Sequence, residues 1–320
     1  PWLAGHPAIR ESNRAPQIKP IYDIAGNYSS NKTPGIGSVS DPVGNPVADL
    51  ERHKDNIEKR YVFMGSFFLE WDILNELTFK TSFNPMFNMT YEDKRFSPAA
   101  EQDLGTGEAS LAQYSWNEMN WTWYNTLAYA KTFSERHNFQ SMLGSEAIEN
   151  EITRFNAQNE GYYSQDLDYR HLDAGEHKLD NGGYSSEWSL FSLFAILVYN
   201  YDGKYLISTT VRRDGSSRFG QNNRYAVFPA FSAAWRLSGE RFLERSNTIN
   251  DLKIRASWGQ TGNQNIGDYI IYDTFKKDIK KSGYDIHGTQ TSAVVGFHPD
   301  AFGNPNAKWE TITTADIGLD

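Results

Sequence analysis

The residues of this chain whose types could do chemistry gather in a few short stretches. Gly215-Ser216-Ser217-Arg218-Phe219-Gly220 has the glycine spacing of a loop that cradles phosphate. Such a loop needs Lys and Ser or Thr directly after its second glycine, and Gln221-Asn222 stand there instead. Asp214-Gly215 therefore reads as a turn rather than the start of a nucleotide site. Arg212, Arg213, Arg218 and Arg236 could take an anion, but arginines on the wet inner face of a β protein are more often held by carboxylates. The 7 histidines show no metal-ligand spacing; His171 and His177 share a polar stretch with Asp166, Asp168 and Asp173, where a calcium or zinc site is the lesser alternative to a solvated loop. The carboxylate pairs Asp166/Asp168 and Glu149/Glu151 imply no pocket, so hydrolase chemistry has no support. The chain has no cysteine, which removes thiolate catalysis, thiolate metal sites and disulfides. No catalytic residue, cofactor or metal is expected, and the chain does not read as an enzyme. Tyr162, Tyr163, Asp166, Tyr169 and His171 are candidates for contacting a sugar or a peptide from a loop; the plainer reading of each is that it packs that loop.

The elements that must position these residues are strands. Between Tyr205 and Asn263, three runs alternate apolar and polar residues. Tyr205, Ile207 and Val211 oppose Ser208, Thr210, Arg212 and Asp214. Tyr225, Val227, Phe231, Ala233, Trp235 and Leu237 oppose Arg224, Ser232 and Arg236. Leu252, Ile254, Ala256 and Trp258 oppose Lys253, Arg255 and Ser257. Period-two patterning marks strands with two unlike faces. One face carries full charges and meets water; the other is an aromatic and aliphatic band that meets either a second sheet or lipid.

Over its 320 residues the chain is 39% hydrophobic and 14% aromatic, a composition that suits polar-faced strands and long loops. No run approaches the length of a membrane helix, but a tilted membrane strand needs only about 9–11 residues. The formal net charge of −9 and the lack of a basic stripe argue against nucleic acid as a partner. The first and last residues look like cuts in a longer protein.

In chain order, residues 1–58 are rich in proline and glycine and read as an irregular, extracellular loop region, with a short extended piece near Ile21–Ile24. Tyr61–Trp71 and Leu77–Phe83 read as a hairpin around Asp72–Asn75. Tyr114–Ala130, Asn138–Ile148 and Ser189–Tyr201 follow as strands, then the three runs described above, then a strand from Trp309. Residues 91–112, 151–186 and 261–308 read as long polar loops, whereas the connections at Asp72–Asn75, Lys131–His137 and Asp202-Gly203 are short. A sandwich has no reason to sort its turns this way. A transmembrane barrel does, with short turns at the periplasmic rim and long loops outside. Trp71, Tyr114, Tyr129, Tyr201, Tyr205, Tyr225, Trp235 and Trp309 then fit aromatic girdles. The expected fold is all-β: part of a large antiparallel transmembrane β-barrel, with about nine strands present.

The residues then match a known pattern. Arg213-Asp214-Gly215-Ser216-Ser217-Arg218-Phe219-Gly220 resembles the signature of the SusC/RagA family of TonB-dependent outer-membrane transporters. So do Phe228-Pro229 with Trp235, the run Leu252–Asn263 with its Gly259, Gly262 and Asn263, and Trp309-Glu310 with Asp316–Asp320. Asn45-Pro46 and the Asp72–Leu77 turn also resemble family positions. The resemblance implies a barrel of about 22 strands closed by an N-terminal plug. It also implies a SusD-like lipoprotein lid, energy delivered through the TonB complex, and a glycan or oligopeptide as cargo. On this reading residues 59–320 are a partial barrel of a bacterial cell outer membrane protein in contact with lipid. The plug, the segment that touches TonB and the closing strands are absent. Asp214 and its neighbours are then expected to set barrel–plug geometry. The alternatives are a plug-less porin and a non-transporting β-rich surface binding or adhesion module.

Overall fold

A computed structural model describes residues 20–29, 45–96, 108–164, 166–169, 171–243, 248–288 and 293–320. Much of the stretch expected to be irregular (1–19 and 30–44) and part of one expected loop (97–107) lie outside these residues. The first helix among the described residues is α1 (Pro46–His53). Irregular chain was expected here because of Pro46. The structure shows why a helix forms. Asn45 Oδ1 accepts from the backbone N–H of Val47 and Ala48 at 3.1 and 3.2 Å, and Pro46 takes the first helical position, where its missing N–H costs nothing.

The strands are β1 (Ile57–Met64), β2 (Phe67–Leu74), β3 (Leu77–Phe96), β4 (Ser110–Phe133), β5 (His137–Glu160), β6 (His177–Tyr201), β7 (Tyr205–Ser216), β8 (Tyr225–Arg236) and β9 (Lys253–Asn263). After them come two small antiparallel pairs. β10 (Thr274–Lys277) pairs with β13 (Phe297–Ala301), and β11 (Gly283–Asp285) pairs with β12 (Ala293–Val295); a short helix, α2 (Ile279–Ser282), lies between β10 and β11. β14 (Glu310–Leu319) returns to β9. One ten-stranded sheet runs β1-β3-β4-β5-β6-β7-β8-β9-β14, with β2 also on β3. From β6 to β9 each strand pairs antiparallel with its neighbour in the chain, as β2 does with β3, and β14 returns antiparallel to β9 past the two small pairs, the topology of an up-and-down barrel wall. Among the described residues no helix is long and apolar enough to cross a membrane.

Several boundaries depart from the expected ones. The stretch from Tyr61 to Trp71 is two strands, broken at Gly65 and Ser66, and the hairpin turns at Asn75-Glu76. Residues 91–112 and 151–186 are strand for most of their described length; only 161–176 remains as a connection in the second. Residues 261–308 contain the end of β9 and both small pairs. The reason is the solvent. β3, β4, β5 and β6 have 20, 24, 24 and 25 residues, about twice what a bilayer crossing uses. The halves remote from the short turns have water on both faces, so their backbones still pair while their apolar alternation disappears.

The chain divides into two compact units. The first takes residues 1–63, 87–118 and 152–185. It buries Ala109, Leu111 and Tyr162 with Leu172 packed on them, and its strands bury polar residues such as Asn88, Thr90 and Asp93. The second takes 64–86, 119–151 and 186–320. Its exposed face is apolar, with Trp71, Phe83, Trp123, Leu143, Leu193, Val211, Phe231, Trp258 and Ile317 open. In a water-soluble protein such a continuous surface would be untenable. It is the lipid-facing band of a barrel, and the sequence's alternation places those residues correctly.

At the short-turn end of this unit the aromatic residues form a stair. Tyr201 lies 6.2 Å from Tyr205, and Tyr205 stacks on Trp235 at 6.2 Å. His137 packs on Tyr201 at 4.8 Å, and Tyr129 meets Phe139 edge-on at 6.2 Å. Two residues expected in a girdle do not belong to one: Trp309 is only 8% exposed, and Tyr114 lies in the first unit with Lys94 Nζ 5.1 Å above its ring.

Candidate functional site

The second unit's inner face and its long-connection end hold the most organised polar groups. On the inner face, Arg212 ties three strands together. Its Nε donates to Asp214 Oδ1 on β7 at 2.6 Å. Its Nη2 donates to Glu146 Oε2 on β5 and, at 2.8 Å, to Ser192 Oγ on β6. The guanidinium lies 5.6 Å above the ring of Phe194, which stacks on Tyr124 at 5.6 Å. Gly144 leaves room for that ring; a Cβ there would stand 2.0 Å from Phe194 Cζ. The register explains the convergence, because Arg212 is opposite both Phe194 and Phe228.

The glycine-rich stretch is no phosphate cradle. β7 runs through Asp214 and Gly215 to Ser216, so the chain turns later than expected, and a strand rather than a helix N-terminus follows. The turn is tied to β6 by Ser217 N donating to Ser189 O and Ser189 N donating to Ser217 Oγ, both at 2.9 Å. Phe219 then folds inward and is fully buried, 5.1 Å from Trp309, which meets Phe228 edge-on at 5.5 Å. Trp309 Nε1 donates to Arg224 O at 3.0 Å. A Cβ on Gly262 would lie 2.1 Å from Phe228 Cζ, and one on Gly220 would lie 2.6 Å from Pro305 O. Asn263 Nδ2 donates to Glu310 Oε2 at 2.9 Å. Pro229 stands where the β8–β9 pairing stops, since that register begins at Ala230 opposite Gly259; its missing N–H breaks no ladder bond there. Four motifs dispersed in sequence thus meet in one knot. Trp235 is the exception: it sits with Tyr205 in the stair at the short-turn end, where Glu240 Oε1 accepts from Tyr205 Oη at 2.8 Å and Trp235 Nε1 at 3.2 Å. These two donors, the tyrosine first, hold the Glu240 carboxyl below its usual range.

Beside the knot lies a cleft of about 350 Å³ bordered by Trp188, Arg218, Arg224, Tyr269 and Tyr272, with Glu149 and Glu187. Arg218 Nε donates to Asp268 Oδ1 at 2.7 Å, and its guanidinium stacks on Trp188 at 4.7 Å. Tyr269 Oη accepts from Glu187 N at 3.1 Å while its own backbone holds φ at +61°, a conformation that costs a tyrosine energy and marks a constrained site. Sequence reasoning missed Tyr269 and Tyr272 because they lay in a stretch taken as featureless loop. Arg218 and Arg236 do have carboxylate partners, Asp268 and Asp251. Arg213 differs: it makes no ion pair among the described residues and is on the outer face, not the inner one it was expected to share with Arg212.

The first unit holds the loop candidates. Tyr162 is 9% exposed and packs with Ala109 and Leu111, so it is a packing residue and not a surface contact. Tyr163 is fully exposed, and Tyr169, Asp166 and His171 are exposed as well. Asp166 Oδ1 accepts from Asp168 N at 3.2 Å, capping a turn. Among the described residues no group of three or more His, Cys, Asp or Glu is placed to hold a metal. His177 lies 4.0 Å from Glu108 and Glu176 instead. A second cleft, about 480 Å³, is bordered by His53, Phe96, Tyr114 and Gln158 around Arg95, which Asp93 holds by two bonds of 3.2 Å. No sequence signal pointed to it, since its residues come from four separate strands and a helix.

An antiparallel wall with one lipid face, one charged face and a buried aromatic knot at its long-connection rim defines an outer-membrane barrel protein. The family model for the TonB dependent receptor-like β-barrel matches residues 11–320, and the chain belongs to that family as a SusC/RagA-like barrel fragment. It is 34% identical over 92% of its length to TonB-dependent receptor P3 of Formosa agariphila. It is 31% identical over 93% to TonB-dependent receptor SusC of Bacteroides thetaiotaomicron. The chain spans 28% and 30% of those two relatives. Its fold matches a solved RagAB peptide transporter with a TM-score of 0.79 at 22% identity, over 93% of this chain and 32% of that one. The family's β-barrels belong to the outer membrane.

Proposed function

We propose that this chain is a wall of a TonB-dependent importer in a bacterial outer membrane. In this reading the complete protein takes up a large nutrient, a glycan or an oligopeptide, together with a SusD-like surface lipoprotein, and draws energy from the TonB complex through a segment outside this chain. Transport, not catalysis, is its work. The observation that carries the reading is the convergence of the four family motifs on the Phe219–Phe228–Trp309 knot at the end of a membrane-type wall. The TonB-dependent receptor SusC and the RagAB peptide transporter supply the analogy for lid and cargo. Arg212, Asp214 and Glu146 line the inner face where a plug would sit, and Tyr163, Tyr169, Asp166 and His171 are the exposed groups proposed to meet cargo or lid.

The test uses cells carrying the complete gene. Uptake of fluorescent oligosaccharide and oligopeptide pools is measured with and without a protonophore, and with the neighbouring lipoprotein gene deleted. Energy-dependent uptake of one pool, lost with the lipoprotein, is the expected result. Uptake that survives the protonophore identifies a porin, and surface binding without uptake identifies an adhesin; either overturns the proposal.

A further inference from the structure

The family signature contributes a residue to the outside of the wall. Arg213 shares its face of β7 with Tyr205, Ile207, Thr209 and Val211, and only Gly215 lies beyond it on that face before the strand ends at Ser216. Its direct cross-strand neighbours are Leu193 and Val227, and its diagonal ones are Phe191, Ala195, Tyr225 and Pro229. None carries a charge. Arg213 makes no ion pair among the described residues, so nothing on its own wall neutralises it. Yet it is built in: its guanidinium lies 4.3 Å above the ring of Tyr225, and that ring occupies the space a Cβ on Gly215 would need, 2.2 Å from Tyr225 Cε1. The glycine seats the ring and the ring seats the cation.

Position along the strand sets the depth. Tyr205, in the aromatic stair, marks one interface. From there to Arg213 the strand rises about 26 Å, or about 20 Å across the bilayer at a tilt of about 40°. With the reach of its side chain, the guanidinium comes to the far edge of an apolar band about 25 Å tall. An arginine at the middle of that band would be costly, but at headgroup level it is tolerated and attracts anionic lipid.

We infer that Arg213, held on Tyr225, binds the phosphate of an anionic lipid in the leaflet facing the long connections, packed against the outer face of β6, β7 and β8. The inference rests on the membrane placement of this wall and not on transport. Its failure in a correctly inserted barrel leaves the importer reading intact.

The full-length barrel protein carrying this chain is placed in nanodiscs doped with diphosphoryl lipid A or with its dephosphorylated form. Retained lipid is then counted by native mass spectrometry. Wild type is expected to favour the phosphorylated lipid about five-fold, the size of effect one basic side chain has at a charged membrane surface. Arg213→Gln should abolish the preference, Arg213→Lys keep part of it, and Tyr225→Leu weaken it with the charge unchanged. Equal retention of the two lipids by wild type overturns the inference without any variant. So does an unchanged preference in Arg213→Gln, with heat-modifiable migration confirming the folded barrel. Displacement of the lipid by millimolar inorganic phosphate would mark a free-anion site and overturn the lipid assignment.

Discussion

Replacing Phe219 by Ala tests whether the rim knot is held by packing. Phe219 is fully buried, its ring contacts Trp309, and Leu190 and Phe228 complete the cluster. Truncating a buried phenylalanine removes its transfer energy and leaves a cavity, together about 3–5 kcal/mol. The turn is tied independently to β6 by the Ser217–Ser189 bonds, so part of this loss will be local opening of residues 217–224. Phe219→Leu keeps most of the volume and should cost about 1–1.5 kcal/mol. Trp309→Phe keeps a ring but loses the indole bond to Arg224 O, which costs about 1 kcal/mol. Because the two rings touch, Phe219→Ala and Trp309→Ala together should cost less than their sum, with a coupling of about 0.5–1.5 kcal/mol. The assay is urea unfolding of the full-length barrel in detergent, followed by gel migration so that loss of Trp309 fluorescence does not matter. Additive losses, or a loss below about 0.5 kcal/mol for Phe219→Ala, would refute the packing argument.

Other outcomes follow from the same geometry. Gly144→Val should displace Phe194, break its stack on Tyr124 and cost about 1–3 kcal/mol, read in the same urea titration. Tyr162→Ala should lower the stability of the full-length barrel, while Tyr163→Ala and Tyr169→Ala should change it by less than about 0.5 kcal/mol; only the latter two are candidates for altered cargo or lid binding. Asp214→Ala leaves Arg212 with Glu146 and Ser192, so barrel assembly should survive; loss of cargo binding with the plug correctly seated would contradict the proposed structural role of Asp214. The connection after β8 should loosen in acid. Glu240 is held below its ordinary 4.5 by Tyr205 and Trp235, and Asp251 below its ordinary 3.8 by Ser238. Depressed carboxyls stabilise fully above their unfolded values and lose that contribution as pH falls through the folded ones. Amide protection over residues 237–243 and 248–252 should therefore hold above about pH 4.5 and fall below it. Protection that instead rises on acidification would reverse the sign.

Much of the membrane part was legible in the residues alone. Tyr205, Ile207 and Val211 against Ser208, Thr210 and Arg212 fixed the two faces of β7, and the register agrees strand by strand through β8 and β9. The short turns at Asp202-Gly203 and near Ser134 were also readable, because their chemistry is local: Asp202 and Gly203 both take positive φ, as do Ser134 and Glu135. The alternation is readable because lipid and water impose opposite demands on successive side chains.

That same dependence hid the extended halves of β3, β4, β5 and β6, where Asn88, Thr90 and Asp93 are buried and no lipid selects apolar residues. α1 was missed for a different reason, because Pro46 reads as a breaker when Asn45 caps the helix and Pro46 fits its first position. The signature was legible as a pattern but not as an arrangement. Arg212 and Arg213 were grouped as inner-face cations although the alternation of β7 already separates them; what the pairing added is what each meets, Glu146 and Ser192 inward and Tyr225 outward. Likewise, nothing local joins Phe219 to Trp309. Their contact exists because β9 and β14 pair antiparallel and return residue 309 to the end of β7 and β8. Local composition determined which face of each strand is wet; pairing across the sheet decided which residues meet.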